Sequence, residues 1–476
     1  MRLLPLCPIH GSAAVVAGAF LMSWPALYNR YPLLYPDSMS YLRDGPLVAR
    51  ALFLRKFSVN HGGRSFIYSL GILPLHRSVT PWPIVALNAL LTAYVIWLVL
   101  RSILPRQTVT RYFALILLLS MFTGLGWLVG WIMPDILGPV LYLSIYLLVF
   151  APESLSRAER LIIIPIVWWS VASHVTHLML AAGMCVFLAL PLLLRRQQVR
   201  HRLRAVGGAA MIVLAAASAH MALHWYLYGK PSLNGKRPPF LMARIIADGP
   251  GRWYLQQHCG HLNFAVCTHV DDLPDNVGAF LWAAPGIWLS SSADQRELLR
   301  GEEMGIVLGT LRAYPREELI ISADHFWEQL HTFGLSDYDP NPWILQMVDT
   351  VLPRARARYL QSRQAQETLH EEFFTAVQNW TVMASLVVIT IWAALARKRS
   401  RRVMGLAAII VFVVIANAAV TGILANVEDR YQARVIWLVP LLAGVAVLEW
   451  LAYRPSANCQ GDSRLRESVC ANLPDA

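Results

Sequence analysis

A single aspartate stands in the segment LYPDSMSYL (34–42), directly after the first long apolar stretch of the chain. A carboxylate at the edge of a membrane can take a proton from an acceptor hydroxyl while staying mostly ionised, so Asp37 is a candidate catalytic base. Tyr41 lies four residues later and shares a face with Asp37 if the segment is helical. The alternative is that Asp37 only caps a helix preceded by Pro36, because Asp is a favoured N-cap residue.

A second carboxylate, Asp135, lies in MPDILGP (133–139), where another apolar stretch begins. It can be an N-cap that faces the dipole of its own helix. It can also be a second acidic group for the acceptor, or a ligand for a divalent cation shared with Asp37. The sequence leaves these alternatives open, and it indicates no other cofactor.

Two histidines, His174 and His177, interrupt a long apolar block in the segment SHVTH (173–177). Their spacing would let both rings face one cavity if the segment is helical. A zinc site needs a third ligand from the same element, and none is obvious. Hydrogen bonding to a phosphate or a sugar hydroxyl is favoured, with ordinary interfacial histidines as the alternative.

The segment NVEDRYQAR (426–434) is a charged turn between the last two apolar stretches. Arg430 and Arg434 are four residues apart and can reach one anion, because guanidinium groups suit phosphate oxygens. The alternative is a loop that only marks the interface, with Tyr431 as an aromatic belt residue. The candidate binding residues of this segment are Glu428, Asp429, Arg430, Tyr431 and Arg434.

Arg64 lies in HGGRS (61–65), where two glycines beside an arginine could form an anion-binding nest. As a motif this is weak, and a simple turn is the favoured interpretation. Arg64 is kept as a candidate binding residue.

The elements that must position these side chains are membrane spans. The chain has 476 residues, of which 56% are hydrophobic and 15% charged, and a mean hydropathy of +0.45, which is too apolar for an ordinary soluble domain. Its composition predicts an all-α polytopic membrane protein with about ten spans, the long block 161–194 being a hairpin of two. The apolar stretches are 12–29, 82–100, 112–131, 133–150, 161–194, 204–226, 376–396, 403–424 and 432–452.

Basic residues predict the orientation of these spans. Four arginine-rich loops, near 101–111, 157–160, 195–204 and 397–402, can all be cytoplasmic only if both termini are cytoplasmic. The loop 30–81 disagrees, since it is basic and yet falls outside. All the candidate residues then lie on the outer face. The net charge of +12 is explained by these loops, so a nucleic-acid partner is not expected.

Cysteines offer a further indication of compartment. Cys259 and Cys267 lie in the exported segment, and their short separation suits a local disulfide in an oxidising compartment. The alternative is two unpaired thiols. Cys7, Cys185, Cys459 and Cys470 are expected to be free.

The chain divides into four regions. An N-terminal membrane core covers 1–228, and its exported loop 30–81 is expected to form two surface helices, 37–57 and 63–76, by their amphipathic spacing. A mostly helical exported insert (229–375), C-terminal transmembrane helices (376–453) and a cytoplasmic tail (454–476) follow.

These residues resemble the GT-C superfamily of integral-membrane glycosyltransferases, which includes protein mannosyltransferases and the aminoarabinose transferases of lipid A. The shared features are an early Asp in the first exported loop, here YPDSMSYL, two surface helices in that loop, and a late outer Arg-Tyr pair, here EDRY. The resemblance covers mainly 1–228 and 376–453. The whole chain also looks like bacterial membrane proteins whose exported segment has a similar GPGRWYL and paired-Cys pattern.

The resemblance implies an inverting transfer of a sugar from a polyprenyl-phosphate donor to an extracytoplasmic hydroxyl of a glycan, lipid or protein. It implies that Asp37 deprotonates the acceptor, that Arg430 and Arg434 hold the donor phosphate, and that Asp135 is a second acidic site. The implied location is a bacterial inner membrane, and the implied partners are the lipid-linked donor, the acceptor and membrane lipid.

Two other classes of function remain open at this point. A transporter or flippase of lipid-linked glycans would also need many helices and intramembrane polar residues, but it usually carries them near the midplane and often has internal repeats. A noncatalytic membrane scaffold would use the insert to bind a partner. In a scaffold, substitutions at Asp37, Asp135 and Arg430 would be silent.

Overall fold

The computed structural model describes residues 8–57, 63–104, 108–194, 200–283, 285–395 and 400–452. Every regular element in these ranges is a helix. The glycines of the turn at 61–65 lie partly, and the tail 454–476 wholly, outside the described residues. So do Cys7, Cys459 and Cys470.

The N-terminal half contains eleven α-helices among its described residues. They are α1 (Pro8–Met22), α2 (Trp24–Tyr28), α3 (Pro36–Leu54), α4 (Phe66–His76), α5 (Trp82–Ile103), α6 (Thr108–Phe122), α7 (Leu125–Gly130), α8 (Leu137–Phe150), α9 (Arg157–Ser173), α10 (Val175–Leu194) and α11 (Arg200–Tyr228). The long block 161–194 is divided between α9 and α10 at His174, whose backbone is extended.

Shorter helices follow in the segment 229–375, and long ones in the C-terminal part. The shorter ones are α12 (Phe240–Ala247), α13 (Pro250–His258), α14 (Val277–Leu281), α15 (Ile287–Ser290), α16 (Ala293–Ala313), α17 (Pro315–His331), α18 (Pro342–Val351) and α19 (Arg356–Leu360). The C-terminal ones are α20 (Glu371–Leu395), α21 (Arg401–Leu424), α22 (Asp429–Ile436) and α23 (Leu438–Ala452).

Five described helical stretches are long and apolar enough to cross a membrane. They are Trp82–Ile103, Arg202–Tyr228, Glu371–Leu395, Arg401–Leu424 and Asp429–Ala452. Other apolar helices, such as Val109–Phe122 and Pro134–Phe150, are shorter. The chain is therefore a helical membrane protein by length and composition, while the expected number of ten spans is not established.

The insert divides into two parts. Helices α12 to α16 enclose a small core of their own, which includes Leu255, Phe280 and Ile306. A disulfide joins Cys259, which follows α13, to Cys267 in the next 3-10 turn. In contrast, α18 and α19 pack their apolar side chains into the large core of the membrane helices.

Helix α3 is largely buried in its first turns and exposed at its C-terminal end. Its residues Ser38, Tyr41 and Leu42 are fully buried, and a Cβ at Gly45 would lie 2.6 Å from the backbone oxygen of Ser69 in α4. The two helices thus cross in backbone contact. The predicted apolar face, which includes Leu47, Ala51 and Leu54, does not point inward along its whole length, because Leu54 is exposed.

Candidate functional site: carboxylates and guanidinium groups on four segments

Two backbone segments meet just before the candidate carboxylates. The N–H of Leu33 donates to the oxygen of Gly130 at 3.0 Å, and the N–H of Ile132 donates to the oxygen of Leu33 at 3.1 Å. Asp37 follows Leu33 by four residues, and Asp135 follows Trp131 by four residues. The bridge therefore fixes the two carboxylates relative to each other.

Gln364 holds one of these segments in place. Its side-chain oxygen accepts from the N–H of Leu34 at 3.0 Å, and its amide donates to the oxygen of Leu34 at 2.7 Å and to that of Tyr338 at 2.9 Å. The side-chain amide of Gln364 thus bonds both the N–H and the carbonyl oxygen of Leu34, as the backbone of a neighbouring strand would. The second part of the insert thus supports the entry to α3.

Asp37 lies in the first turn of α3 and is bound by two arginines. Arg64 donates to one carboxylate oxygen, and Nη1 of Arg430 lies 3.5 Å from the other. The N-cap position belongs to Tyr35, whose N–H donates to Oγ of Ser38 at 2.9 Å. Asp37 is therefore the carboxylate that two arginines share. Its side chain does not cap α3, so the simple capping interpretation is wrong.

Arg430 is oriented by aromatic rings. Its guanidinium carbon lies 4.5 Å from the ring centroid of Tyr35 and 4.7 Å from that of Tyr431. Nη2 also donates to the hydroxyl of Tyr431 at 3.0 Å. Cation–π contacts on two rings restrict a long side chain to one arrangement. The guanidinium is thus aimed at Asp37.

Asp135 belongs to a 3-10 turn, Pro134–Ile136, that precedes α8. Its carboxylate lies 3.6 Å from Nη1 of Arg434, and no side-chain hydrogen bond caps α8. Arg434 is fully buried, and Oδ1 of Asn417 accepts from its Nε at 3.0 Å and from its Nη2 at 2.7 Å. The N-cap alternative for Asp135 is therefore wrong, while the carboxylate does belong to the cluster.

A third carboxylate, Asp337, joins the cluster from the insert. Its Oδ2 accepts from the backbone N–H of Arg430 at 2.9 Å. Burial raises the pKa of Asp337 to about 6, although the positive charge of Arg430 lowers the pKa. Three guanidinium groups thus face three carboxylates, one of which loses its charge in mildly acidic conditions.

His174 and His177 do not act as a pair. Their ring centroids are 5.5 Å apart, but His177 is fully buried, its Nδ1 lies 2.9 Å from the oxygen of Ser170, and a Cβ at Gly138 would lie 2.9 Å from its Nε2. Of these two histidines, His174 lines the cavity beside the cluster and His177 does not. The two rings therefore do not line this cavity together.

That cavity is small. It offers about 20 Å³ to the centre of a water molecule, which is room for one or two waters and not for a sugar ring. Arg64, His174, His220 and His224 are among its lining residues. Nδ1 of His220 and Nε2 of His224 are buried and have no hydrogen-bond partner within the described part of the chain.

The other acidic residues of the charged segment bind the protein itself. Asp429 accepts from the N–H of Gly334 and the hydroxyl of Ser336. Glu428 exchanges backbone hydrogen bonds with the side chain of Gln329, at 3.0 and 2.9 Å. Asp429 and the Glu428 backbone therefore anchor the segment that carries Arg430.

Tyr41 lies one helical turn after Asp37 in α3. It is fully buried against Tyr68, with ring centroids 4.8 Å apart, and its hydroxyl has no partner among the described residues. The i, i+4 relation to Asp37 holds within α3. Its hydroxyl therefore makes no hydrogen bond to the described groups of the cluster.

Sequence reasoning missed several members of this cluster. Asn417 is a polar residue inside an apolar span, which is a usable signal, because such residues are rare and tend to be functional. The same signal marks His220 and His224, which lie one turn apart in α11. Asp337 and Tyr35 carry no such signal, because each lies in a segment that looks like an ordinary loop.

A larger cleft, with about 360 Å³ open to water, lies elsewhere and is lined by Asp339, Glu367, His370 and Glu371, among others. Its acidic lining does not suit an anionic ligand. Among the described residues, no group of three or more His, Cys, Asp or Glu side chains could hold a metal ion.

Comparison with known proteins adds no relative. No protein-family model, no curated protein and no solved structure matches the chain. The function must therefore be argued from the cluster itself.

Proposed function

We propose that the chain is a membrane glycosyltransferase that moves a sugar from a polyprenyl-phosphate donor to an acceptor hydroxyl outside the cytoplasm. The observation that carries the proposal is Asp37, a carboxylate held between Arg64 and Arg430. A base beside guanidinium groups is what this reaction needs, because a proton leaves the acceptor while negative charge develops on a phosphate. The resemblance to GT-C enzymes supports the same assignment.

In the proposed reaction, the donor phosphate binds Arg430 and displaces the carboxylate of Asp37 from it. The 3.5 Å contact between Nη1 of Arg430 and Asp37 is the longer of the two ion pairs of Asp37 and is the one that yields. Asp37 then takes the proton of the acceptor hydroxyl. The acceptor oxygen bonds to the anomeric carbon, the bond from that carbon to the phosphate oxygen breaks, and the leaving phosphate keeps the electron pair. The configuration inverts.

Arg434 and Asp135 have a supporting role in this proposal. Arg434 is clamped by Asn417, so it supplies a fixed positive charge without moving. Fixed charges stabilise a developing anion at no cost of reorganisation. Asp135 offsets the charge of Arg434 while the site is empty and leaves part of it available to the phosphate.

The site must open before a sugar can enter, since the adjoining cavity admits only water. With both chain termini in the cytoplasm, this opening faces the outer leaflet, where a lipid-linked donor can enter sideways. Membrane lipid, the donor and the acceptor are the proposed partners, and the bacterial inner membrane is the proposed location.

The test is sugar transfer in proteoliposomes that contain a labelled polyprenyl-phosphate sugar and a mixture of acceptors. Asp37→Asn should lower transfer by about 10²- to 10⁴-fold, the usual contribution of a general base. The matched control is Asp44→Asn, an equal change at a buried, Arg43-paired aspartate of the same helix, which should keep most of the activity. Transfer that survives Asp37→Asn would contradict the proposal. Movement of intact labelled donor across the membrane, without cleavage, would favour the transporter alternative.

A further inference from the structure

Helix α17 carries its polar and apolar side chains on the opposite faces from those of a soluble protein. Its buried residues include Glu318 and Gln329, which are exposed by 3% and 0%. By contrast, Leu319, Ile320 and Trp327 are exposed by 71%, 50% and 63%. A helix on the surface of a water-soluble domain turns its apolar stripe inward. The described part of the chain leaves this apolar stripe uncovered.

At about 100° per residue, the side chains of α17 separate into three arcs around the helix axis. The inward arc is polar and consists of Glu318, Ser322, His325 and Gln329. The next arc is apolar except for the exposed Arg316 in the first turn, and its apolar members are Leu319, Ile320, Ala323, Phe326, Trp327 and Leu330. The remaining outward arc is mostly acidic and consists of Glu317, Asp324, Glu328 and His331, with the half-buried Ile321 between it and the inward arc. Three separate arcs imply three different surroundings.

The inward arc meets polar partners from the protein. The side chain of Gln329 bonds the backbone of Glu428. Oγ of Ser322 accepts from Nη2 of Arg244 at 3.3 Å, and His325 lies 3.6 Å from Asp248. These contacts fix the rotation of α17 about its axis. The exposure of the apolar arc is therefore a property of the fold.

The neighbour that α17 packs on is a membrane span. A Cβ at Gly422 of α21 would lie 2.6 Å from the backbone oxygen of His325 and 3.1 Å from Cβ of Gln329, so the two helices touch at that glycine. About two and three turns before Gly422 in α21, Ile415 and Val411 are exposed apolar residues on a helix suited to cross a membrane. The apolar arc of α17 thus adjoins a surface that lipid covers.

We propose that α17 is an interfacial membrane helix whose apolar arc is covered by lipid acyl chains, on the same side of the membrane as the Asp37 cluster. The acidic arc then faces water, and the polar arc faces the protein. Helices that lie in the interface show this division between an apolar and a charged outer face. Trp327, near the outer end of α21, has the position expected for an interfacial aromatic residue. The exported insert is thus anchored on the membrane through α17.

The test places nitroxide spin labels on single cysteines of the full chain in liposomes of phosphatidylethanolamine and phosphatidylglycerol. The background replaces the free cysteines and keeps the disulfide. Power saturation compares collisions with oxygen, which concentrates in lipid, and with a water-soluble nickel chelate. The apolar positions are Leu319→Cys, Ala323→Cys and Trp327→Cys, and the acidic ones are Asp324→Cys and Glu328→Cys. Val411→Cys on α21 is the lipid reference, and Asp294→Cys, exposed at the start of α16, is the water reference.

The apolar positions should match Val411→Cys, with oxygen collisions in excess, and the acidic positions should match Asp294→Cys. All labelled positions in α17 are exposed, so the labels should leave the fold intact. Nickel collisions in excess at Leu319→Cys and Trp327→Cys would overturn the proposal in favour of water. Low collision rates with both reagents would overturn it in favour of a protein partner. Neither result depends on enzymatic activity.

Discussion

The side-chain oxygen of Asn417 accepts two hydrogen bonds from one buried guanidinium, that of Arg434. The amide of the same asparagine donates to the backbone oxygen of Tyr431 at 2.6 Å and to Oε1 of Gln432 at 2.8 Å. One polar residue of α21 therefore sets both the direction of Arg434 and the position of the start of α22. Asp135 therefore pairs with a guanidinium, that of Arg434, whose position is set by Asn417 of α21.

Replacing Asn417 should destabilise the protein. Asn417→Leu leaves the buried guanidinium of Arg434 without its main acceptor, and an unsatisfied buried group costs about 1–3 kcal/mol, more when charged. The matched control is Asn88→Leu, a buried asparagine of α5 whose amide makes only long contacts, at 3.3 and 3.4 Å. Thermal unfolding in detergent should show a clearly lower midpoint for Asn417→Leu than for Asn88→Leu. Equal midpoints would mean that Asn417 does not hold Arg434.

Arg430→Lys should weaken donor binding although it keeps the charge. Lysine has no planar guanidinium to lie between the rings of Tyr35 and Tyr431, and it cannot present two parallel donors to a phosphate. The loss of one charge-assisted hydrogen bond, about 1.5–3 kcal/mol, corresponds to roughly a tenfold to hundredfold rise in the KM for the donor.

Arg363→Lys is the control for Arg430→Lys, because Arg363 also lies over a tyrosine ring, that of Tyr28 at 4.4 Å, outside the cluster. Steady-state transfer assays at varied donor concentration separate KM from kcat. If Arg430→Lys and Arg363→Lys raise KM equally, the stacked guanidinium of Arg430 has no specific part in donor binding.

Much of this architecture could be predicted from local patterns. The apolar stretches gave the helices, the SHVTH segment marked the break at His174, and the candidate residues Asp37, Asp135, Arg64, Arg430 and Arg434 do lie in one cluster. Such signals are visible because polar residues that interrupt or flank an apolar stretch stand out in the sequence itself.

The remaining features depend on contacts between distant segments, which no local pattern contains. Asp337 reaches Arg430 across 93 residues, and Gln364 reaches Leu34 across 330. Asp429 and His177 likewise make contacts that the sequence did not predict. Their residue types suit a ligand, yet each contacts a backbone group that only the folded chain brings near.

Asp337 should make stability depend on pH between about 4 and about 6. Its pKa is raised from 3.8 to about 6, so the folded state holds the proton more firmly than the unfolded state, and stability falls as pH rises through this window. Asp337→Asn keeps an acceptor for the N–H of Arg430 but cannot ionise. The melting midpoint of the variant minus that of the parent protein should therefore increase from pH 4 to pH 6. Above pH 6 this difference should stay at its increased value.

The control for this pH effect is Asp349→Asn, which removes an exposed carboxylate that pairs with Arg356 on the surface. Its midpoint should follow that of the parent protein across the same range. A constant difference between Asp337→Asn and the parent from pH 4 to pH 8 would show that burial of Asp337 has no such effect.

Loss of the disulfide should loosen only the first part of the insert. Cys259 and Cys267 are eight residues apart, and closing a loop of that size stabilises the folded state by about 2–3 kcal/mol in the chain-entropy treatment. Because α12 to α16 have a core separate from that of the membrane helices, the double variant Cys259→Ser/Cys267→Ser should exchange amide hydrogens faster in residues 250–313. Exchange in α3 and α22 should not change, and neither should sugar transfer.

The buried thiol variant Cys185→Ala is the control for cysteine removal itself. Faster exchange around Asp37 in the double variant would show that the insert and the cluster unfold together.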